Sequence, residues 1–201
     1  MHWTRRIAKS AGDTGFFLSP VLWLALLMIG LHLAGLRDAL LLESDKIFSA
    51  QPWRLVGAHF VHWSDWHLLM NVAGLAIWPL LCDARWSPLR WFLVLLVLSL
   101  TVSAGMVALF PEINGYAGFS GVLHGLFLLG LLPQARAGDG IAAACLLYLV
   151  GKILVESFSG PLFADPERVG AAIAHQAHLA GVLGASGLLG IEALRRHLWR
   201  S

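Results

Sequence analysis

The sequence predicts an all-α polytopic membrane protein in one domain, residues 1–201, built as six transmembrane helices of which the fourth is short and begins inside the bundle. Three observations predict it. Hydrophobic residues make up 58% of the chain and charged residues 13%, with a mean hydropathy of +0.72, a balance unlike that of soluble or disordered domains. The charges gather between six apolar runs. One of those runs is too short to cross lipid, and it follows a glycine-spaced stretch, Gly115-Tyr116-Ala117-Gly118-Phe119-Ser120-Gly121-Val122-Leu123-His124.

After a basic start (Arg5, Arg6, Lys9), no Lys, Arg, Asp or Glu occurs between Asp13 and Arg37, which gives a first span over about 18–36. Its length and the spans that follow favour a retained helix over a cleaved signal peptide. From Arg37 to Trp66, charges mix with bulky apolar residues including Trp53 and Trp63, the composition of an amphipathic segment at the membrane interface. Spans two and three cover about 67–82 and 91–110. The fourth, 120–133, has 14 residues, roughly 21 Å of helix against a hydrocarbon core of about 30 Å. The loop before it must therefore descend into the protein, where backbone is tolerated only if it is buried in protein or faces water.

Span five, about 140–158, carries Lys152 and Glu156 four apart on one face, which reads as a self-neutralising pair of unassigned role. Span six, about 169–191, carries His175, Gln176 and His178 near its start and small residues Gly181, Gly184, Ala185 and Gly187 further on, which permit close helix packing. Sorting Lys and Arg by alternate loops puts nine on the side of the termini and four on the other, so both termini are expected in the cytoplasm and the serine loop on the outside. A net charge of +2 with no basic run gives no basis for nucleic-acid binding. Cys82 and Cys145 fall in or beside apolar runs and are expected as free thiols.

Ser120 admits two readings. As the first residue of a helix it would sit among unpaired N–H groups that favour developing negative charge, the setting of an acyl-transfer nucleophile; alternatively it is only an N-cap. A serine hydroxyl needs a base, and His178, in Ala177-His178-Leu179-Ala180-Gly181, has the small neighbours that would let its helix approach span four. No carboxylate lies in span two, span four or the upper part of span six, so the imidazole is expected to be oriented by packing, with His124 stacking on it. His67 and Asn71, four apart on span two, can each donate a hydrogen bond, and with the Ser120 N–H they would form an oxyanion site. A metal or haem site on His59, His62 and His67 is the competing chemistry, but their spacings of three and five are not those of H-E-x-x-H. Val122 stands where a soluble hydrolase elbow needs glycine.

These residues together resemble the rhomboid intramembrane serine proteases. Gly118-Phe119-Ser120-Gly121 is similar to the family's G-x-S-G at the head of its fourth helix, and Ala177-His178-Leu179-Ala180-Gly181 to the A-H-x-x-G of its sixth, with Ala185 in place of the next expected glycine. Trp53-Arg54 resembles the Trp-Arg of the first outer loop, while His62, His67 and Asn71 resemble the histidine and H-x-x-x-N pattern entering helix two. The resemblance implies a rhomboid-like bundle in which Ser120 is the nucleophile, His178 the general base, and His67, Asn71 and the Ser120 N–H the oxyanion site. Gly118, Gly121, His124 and His62 support them, and no cofactor or metal is implied. His124 stands where many rhomboids have tyrosine, and the sequence from Gly118 to Gly125 looks like that of the bacterial rhombosortase branch. That resemblance implies a multi-pass protein of the bacterial inner membrane that cleaves membrane-anchored proteins near a C-terminal Gly-Gly segment. The alternatives are a rhomboid protease of other single-span substrates, or an inactive relative that binds transmembrane helices.

Overall fold

The computed structural model describes residues 20–199 except 112, 114, 163 and 164. The basic residues Arg5, Arg6, Lys9 and Arg200 and the start of the first predicted span lie outside that range. The described residues form ten α-helices, one turn of 3-10 helix and a single isolated antiparallel bridge. Each of the six predicted spans falls on a helix: α1 (Pro20–Leu33), α5 (Asp65–Leu81), α6 (Pro88–Leu109), α7 (Ser120–Arg136), α8 (Gly140–Ser159) and α10 (Gln176–Leu198). Of these, α6, α8 and α10 are long and apolar enough to cross a membrane, so the chain is a multi-pass membrane protein. Between α1 and α5 lie the short helices α2 (Arg37–Leu40), α3 (Ser44–Phe48) and α4 (Arg54–Gly57), and α9 (Pro166–Val169) precedes α10.

Several boundaries differ from those the sequence predicts, the last helix among them running to Leu198 rather than ending at about 191. The fourth helix runs through Pro133 to Arg136 rather than ending at 133, giving 17 residues. Proline removes one backbone bond, but the Gln134 side chain donates to the Gly130 carbonyl (2.9 Å) and to the Leu81 carbonyl (3.2 Å), which holds the last turn. The helix is still only about 26 Å long. The last helix starts at Gln176 rather than 169, because Gly170, in the left-handed conformation (φ 81°), ends α9 and turns the chain away. The predicted amphipathic segment 37–66 is broken into short helices tied by one side chain. The buried Arg54 guanidinium donates to the carbonyls of Asp38 and Leu41 and reaches Glu43, while its Nε donates to Gln51.

The core is organised on α7. Nine of its 17 residues are buried, and it packs against α10 more extensively than any other pair of helices pack, with α8, α5 and α6 around the rest. Glycine makes the α7–α10 contact possible. A Cβ on Gly181 would overlap the Gly121 carbonyl, and one on Gly121 would come within 2.7 Å of the Ala177 carbonyl, so the two backbones touch. Gly184 meets Thr101 of α6 closely, whereas Gly187 has nothing near it. A cluster of Trp78, Trp86 and Trp91 with ring centroids 5.0–5.4 Å apart closes the far end, and Trp78 Nε1 donates to the Leu126 carbonyl. Both cysteines are free thiols.

Candidate active site

The loop that delivers Ser120 lies inside the protein, with Tyr116, Ala117, Gly118 and Phe119 all buried. Its polar backbone is satisfied there, as burial demands. Tyr116 and Leu42 exchange both of their backbone hydrogen bonds at 3.0 Å, Gly118 N–H donates to the Ala58 carbonyl, and the Tyr116 hydroxyl donates to the Gly118 carbonyl at 2.8 Å. Gly118 adopts φ +128°, and a Cβ there would stand 2.7 Å from the His67 ring, so both conformation and space require glycine. The loop and the α5 ring it supports are fitted to each other.

Ser120 is the first residue of α7, and Phe119 holds the N-cap position without a side-chain cap. The hydroxyl therefore does not cap the helix. It lies 3.1 Å from His178 Nε2 on α10. Of the two readings of Ser120 left open by the sequence, the geometry is that of a serine paired with an imidazole. The His124 ring, one turn along α7, stacks on His178 with centroids 4.0 Å apart and planes 15° apart, and its Nδ1 lies 2.7 Å from the Ser120 carbonyl.

The expectation that packing alone orients His178 is corrected by α8. His178 Nδ1 lies 2.8 Å from Glu156 Oε2, in an ion-pairing position with a carboxylate only 2% exposed. Lys152 is paired with Glu156 as the sequence predicts, Nζ to Oε1 at 2.7 Å. The pair does not close on itself, however. Nζ also stands 3.2 Å from His124 Nε2, and Glu156 Oε1 accepts the Leu162 backbone N–H. Serine, histidine and carboxylate thus come from three different helices. The sequence held the signal, two charges in an otherwise apolar span, but nothing local says that the partner is a histidine 22 residues away.

Ser120, His178, His67, Asn71, Lys152 and Glu156 all face one cavity of about 320 Å3. Asn71 Nδ2 donates to the His67 carbonyl at 2.9 Å, which fixes the amide beside the ring and leaves its second N–H uncommitted. The His62 ring packs edge-on to His67, centroids 5.1 Å apart, so it buttresses the oxyanion candidate from behind. His59 is directed elsewhere: its Nε2 lies 3.0 Å from both the Ser99 carbonyl and Ser103 Oγ on α6. Burial holds the His59 imidazole down at about 4, so it is neutral and ties the segment before α5 to α6. The histidines 59, 62 and 67 do not converge as a ligand set. Among the described residues, the three that do are His124, Glu156 and His178, whose ligand atoms lie within 4.8 Å of one another. Lys152 Nζ stands among them, within 3.4 Å of all three.

Comparison with known proteins bears on what this arrangement belongs to. No curated protein matches the chain significantly. The family model of the Rhomboid domain matches residues 49–193, well over half of the chain and a region that includes α4, the α7 serine and the α10 histidine. With that match spanning every element that contributes to the cavity, the chain belongs to the rhomboid family, whose members are generally intramembrane serine proteases.

Proposed function

We propose that the protein is an intramembrane serine endopeptidase in which Ser120 is the nucleophile and His178 the general base. The observation that carries this reading is the 3.1 Å approach of Ser120 Oγ to His178 Nε2 at the start of a buried helix, inside a cavity large enough for a peptide segment. As Oγ attacks the scissile carbonyl carbon, its proton passes to Nε2 and the carbonyl π pair moves onto oxygen. The Ser120 N–H, His67 and Asn71 stabilise that oxyanion. Collapse of the tetrahedral intermediate breaks the C–N bond, and the imidazolium gives its proton to the leaving amine. Water, deprotonated in turn by His178, then hydrolyses the acyl-enzyme and restores the hydroxyl.

The substrates are membrane-anchored proteins cut near the outer face, and the chain processes a C-terminal Gly-Gly segment followed by an apolar helix and a basic end. What supports this finer reading is the likeness of the sequence around Ser120 and His124 to the rhombosortase branch, and the physical point that helix-breaking glycines let a substrate unwind at the site. The excess of Lys and Arg on the terminal side, nine against four, supports cytoplasmic termini and a site opening outward from a bacterial inner membrane.

The test is cleavage of a membrane-anchored Gly-Gly reporter by purified protein in lipid vesicles. Ser120→Ala and His178→Ala each reduce cleavage to background while still accumulating as folded protein. Turnover surviving in either variant removes the reading, and wild-type protein that binds the reporter without cutting it identifies a helix-binding relative instead. A reporter with Gly-Gly replaced by Leu-Leu is cut at least tenfold more slowly; equal rates reassign the protein to other single-span substrates.

A further inference from the structure

We infer that Glu156 is a positioning residue that makes the Ser120–His178 pair a Ser-His-Glu triad, with Lys152 and His124 fixing the proton arrangement that the base requires. The inference rests on the reading of Ser120 and His178 as nucleophile and base, and it assigns a role to the two charged groups of α8 that this reading leaves unused.

The argument is one of donors and acceptors. The Ser120 carbonyl can only accept, so His124 Nδ1, 2.7 Å away, carries a proton. Lys152 Nζ can only donate, so His124 Nε2, 3.2 Å away, accepts, and His124 is neutral with a determined tautomer. Glu156 Oε1 takes two donors, Lys152 Nζ and the Leu162 N–H, at 2.7 and 3.1 Å. A carboxylate so supplied is ionised, and its Oε2 accepts a proton-bearing nitrogen, His178 Nδ1, at 2.8 Å. With Nδ1 protonated, Nε2 of the neutral ring is bare and faces Ser120 Oγ. That is the tautomer a general base needs.

Taking Glu156 away reverses the assignment. The other polar partner of His178 Nδ1 is then Lys152 Nζ at 3.4 Å, a donor. Nδ1 becomes an acceptor, the proton moves to Nε2, and an N–H is presented to Ser120 in place of a lone pair. The carboxylate does not take the proton in the reaction; it holds the ring in one tautomer and stabilises the imidazolium that forms. The rival role, in which Glu156 only neutralises Lys152, makes no demand on the histidine.

The experiment measures kcat and KM for the reporter together with the rate at which a fluorophosphonate probe labels Ser120. In Glu156→Gln the amide accepts from Lys152 and turns its N–H toward His178, so kcat falls about 100- to 10,000-fold, the range expected of a wrong tautomer, with KM within about twofold. Labelling slows in parallel, and nitrogen NMR of labelled histidine moves the His178 proton from Nδ1 to Nε2. Glu156→Asp recovers at least tenfold over Gln. Because Glu156→Gln leaves Lys152 less well paired, the double variant Lys152→Met/Glu156→Leu removes both charges into an apolar pair that folds. It stays at least 100-fold down in kcat if Glu156 positions the ring, whereas near-wild-type turnover shows neutralisation only and overturns the inference. Full activity in Glu156→Gln with Ser120→Ala and His178→Ala dead also overturns it and spares the protease reading; activity in Ser120→Ala sinks the reading beneath it.

Discussion

Helices α7 and α8 lie side by side and have similar apolar sequences, yet they play opposite parts. Helix α7 is buried over nine of 17 residues and is packed on several sides. Helix α8 buries only Ala142, Leu149, Ile153 and Glu156 of its 20 residues, and shows Leu147, Leu154 and Phe158 outward. The peripheral helix nevertheless places the most deeply buried carboxylate among the described residues, 2% exposed, against the site. An apolar outer face is what lipid requires of a spanning helix. A charge on such a helix is tolerated when it points inward to partners, as Lys152 and Glu156 do on α8, whereas most of α7 is buried through close packing of its apolar residues and glycines.

This contrast can be broken most directly where α7 meets α10. Gly181→Val forces a side chain into the Gly121 carbonyl, and no folded monomer should be recovered in size-exclusion chromatography; normal recovery would mean that the two backbones do not touch. The next effect belongs to α8. Lys152→Ala leaves Glu156 without its cation and lowers the unfolding free energy by about 3 kcal/mol. It also opens the space between His124, Glu156 and His178, so added zinc raises the thermal midpoint of this variant and inhibits its cleavage, reversibly with chelator, while the wild type does not respond. Zinc stabilisation of the wild type would show that Lys152 does not hold that position. The smallest effects come from leucine truncations in the two helices. Leu126→Ala, fully buried on α7, costs about 2 kcal/mol through lost packing, and Leu147→Ala, 75% exposed on α8, stays within about 0.5 kcal/mol. Equal losses in chemical denaturation would erase the distinction between the helices.

How far the site could be read from the residues follows from the same contrast. Ser120 and His178 announce themselves because each sits among small residues, Gly118 and Gly121 for one, Ala177 and Gly181 for the other, and small residues in a membrane chain mark where backbones meet. The stack of His124 on His178 is legible from the four-residue spacing of His124 from Ser120. Glu156 is not legible in that way. A lysine four residues away already accounts for it locally, and only the docking of α8 beside α10 reveals the histidine. The boundaries fail for a related reason: Pro133 stops a helix in isolation but not one whose last turn is held by Gln134, and the left-handed turn at Gly170 has no apolar break to signal it.

Hydroxyl, imidazole and carboxylate are handed over by α7, α10 and α8, in an order that puts the imidazole last along the chain. In the mechanism proposed above, the nucleophile therefore leaves the ribosome 58 residues before its base. On that mechanism no Ser-His pair exists until the last helix packs its Gly181 against the Gly121 carbonyl of α7, so closing the bundle and bringing the base to the hydroxyl are one event.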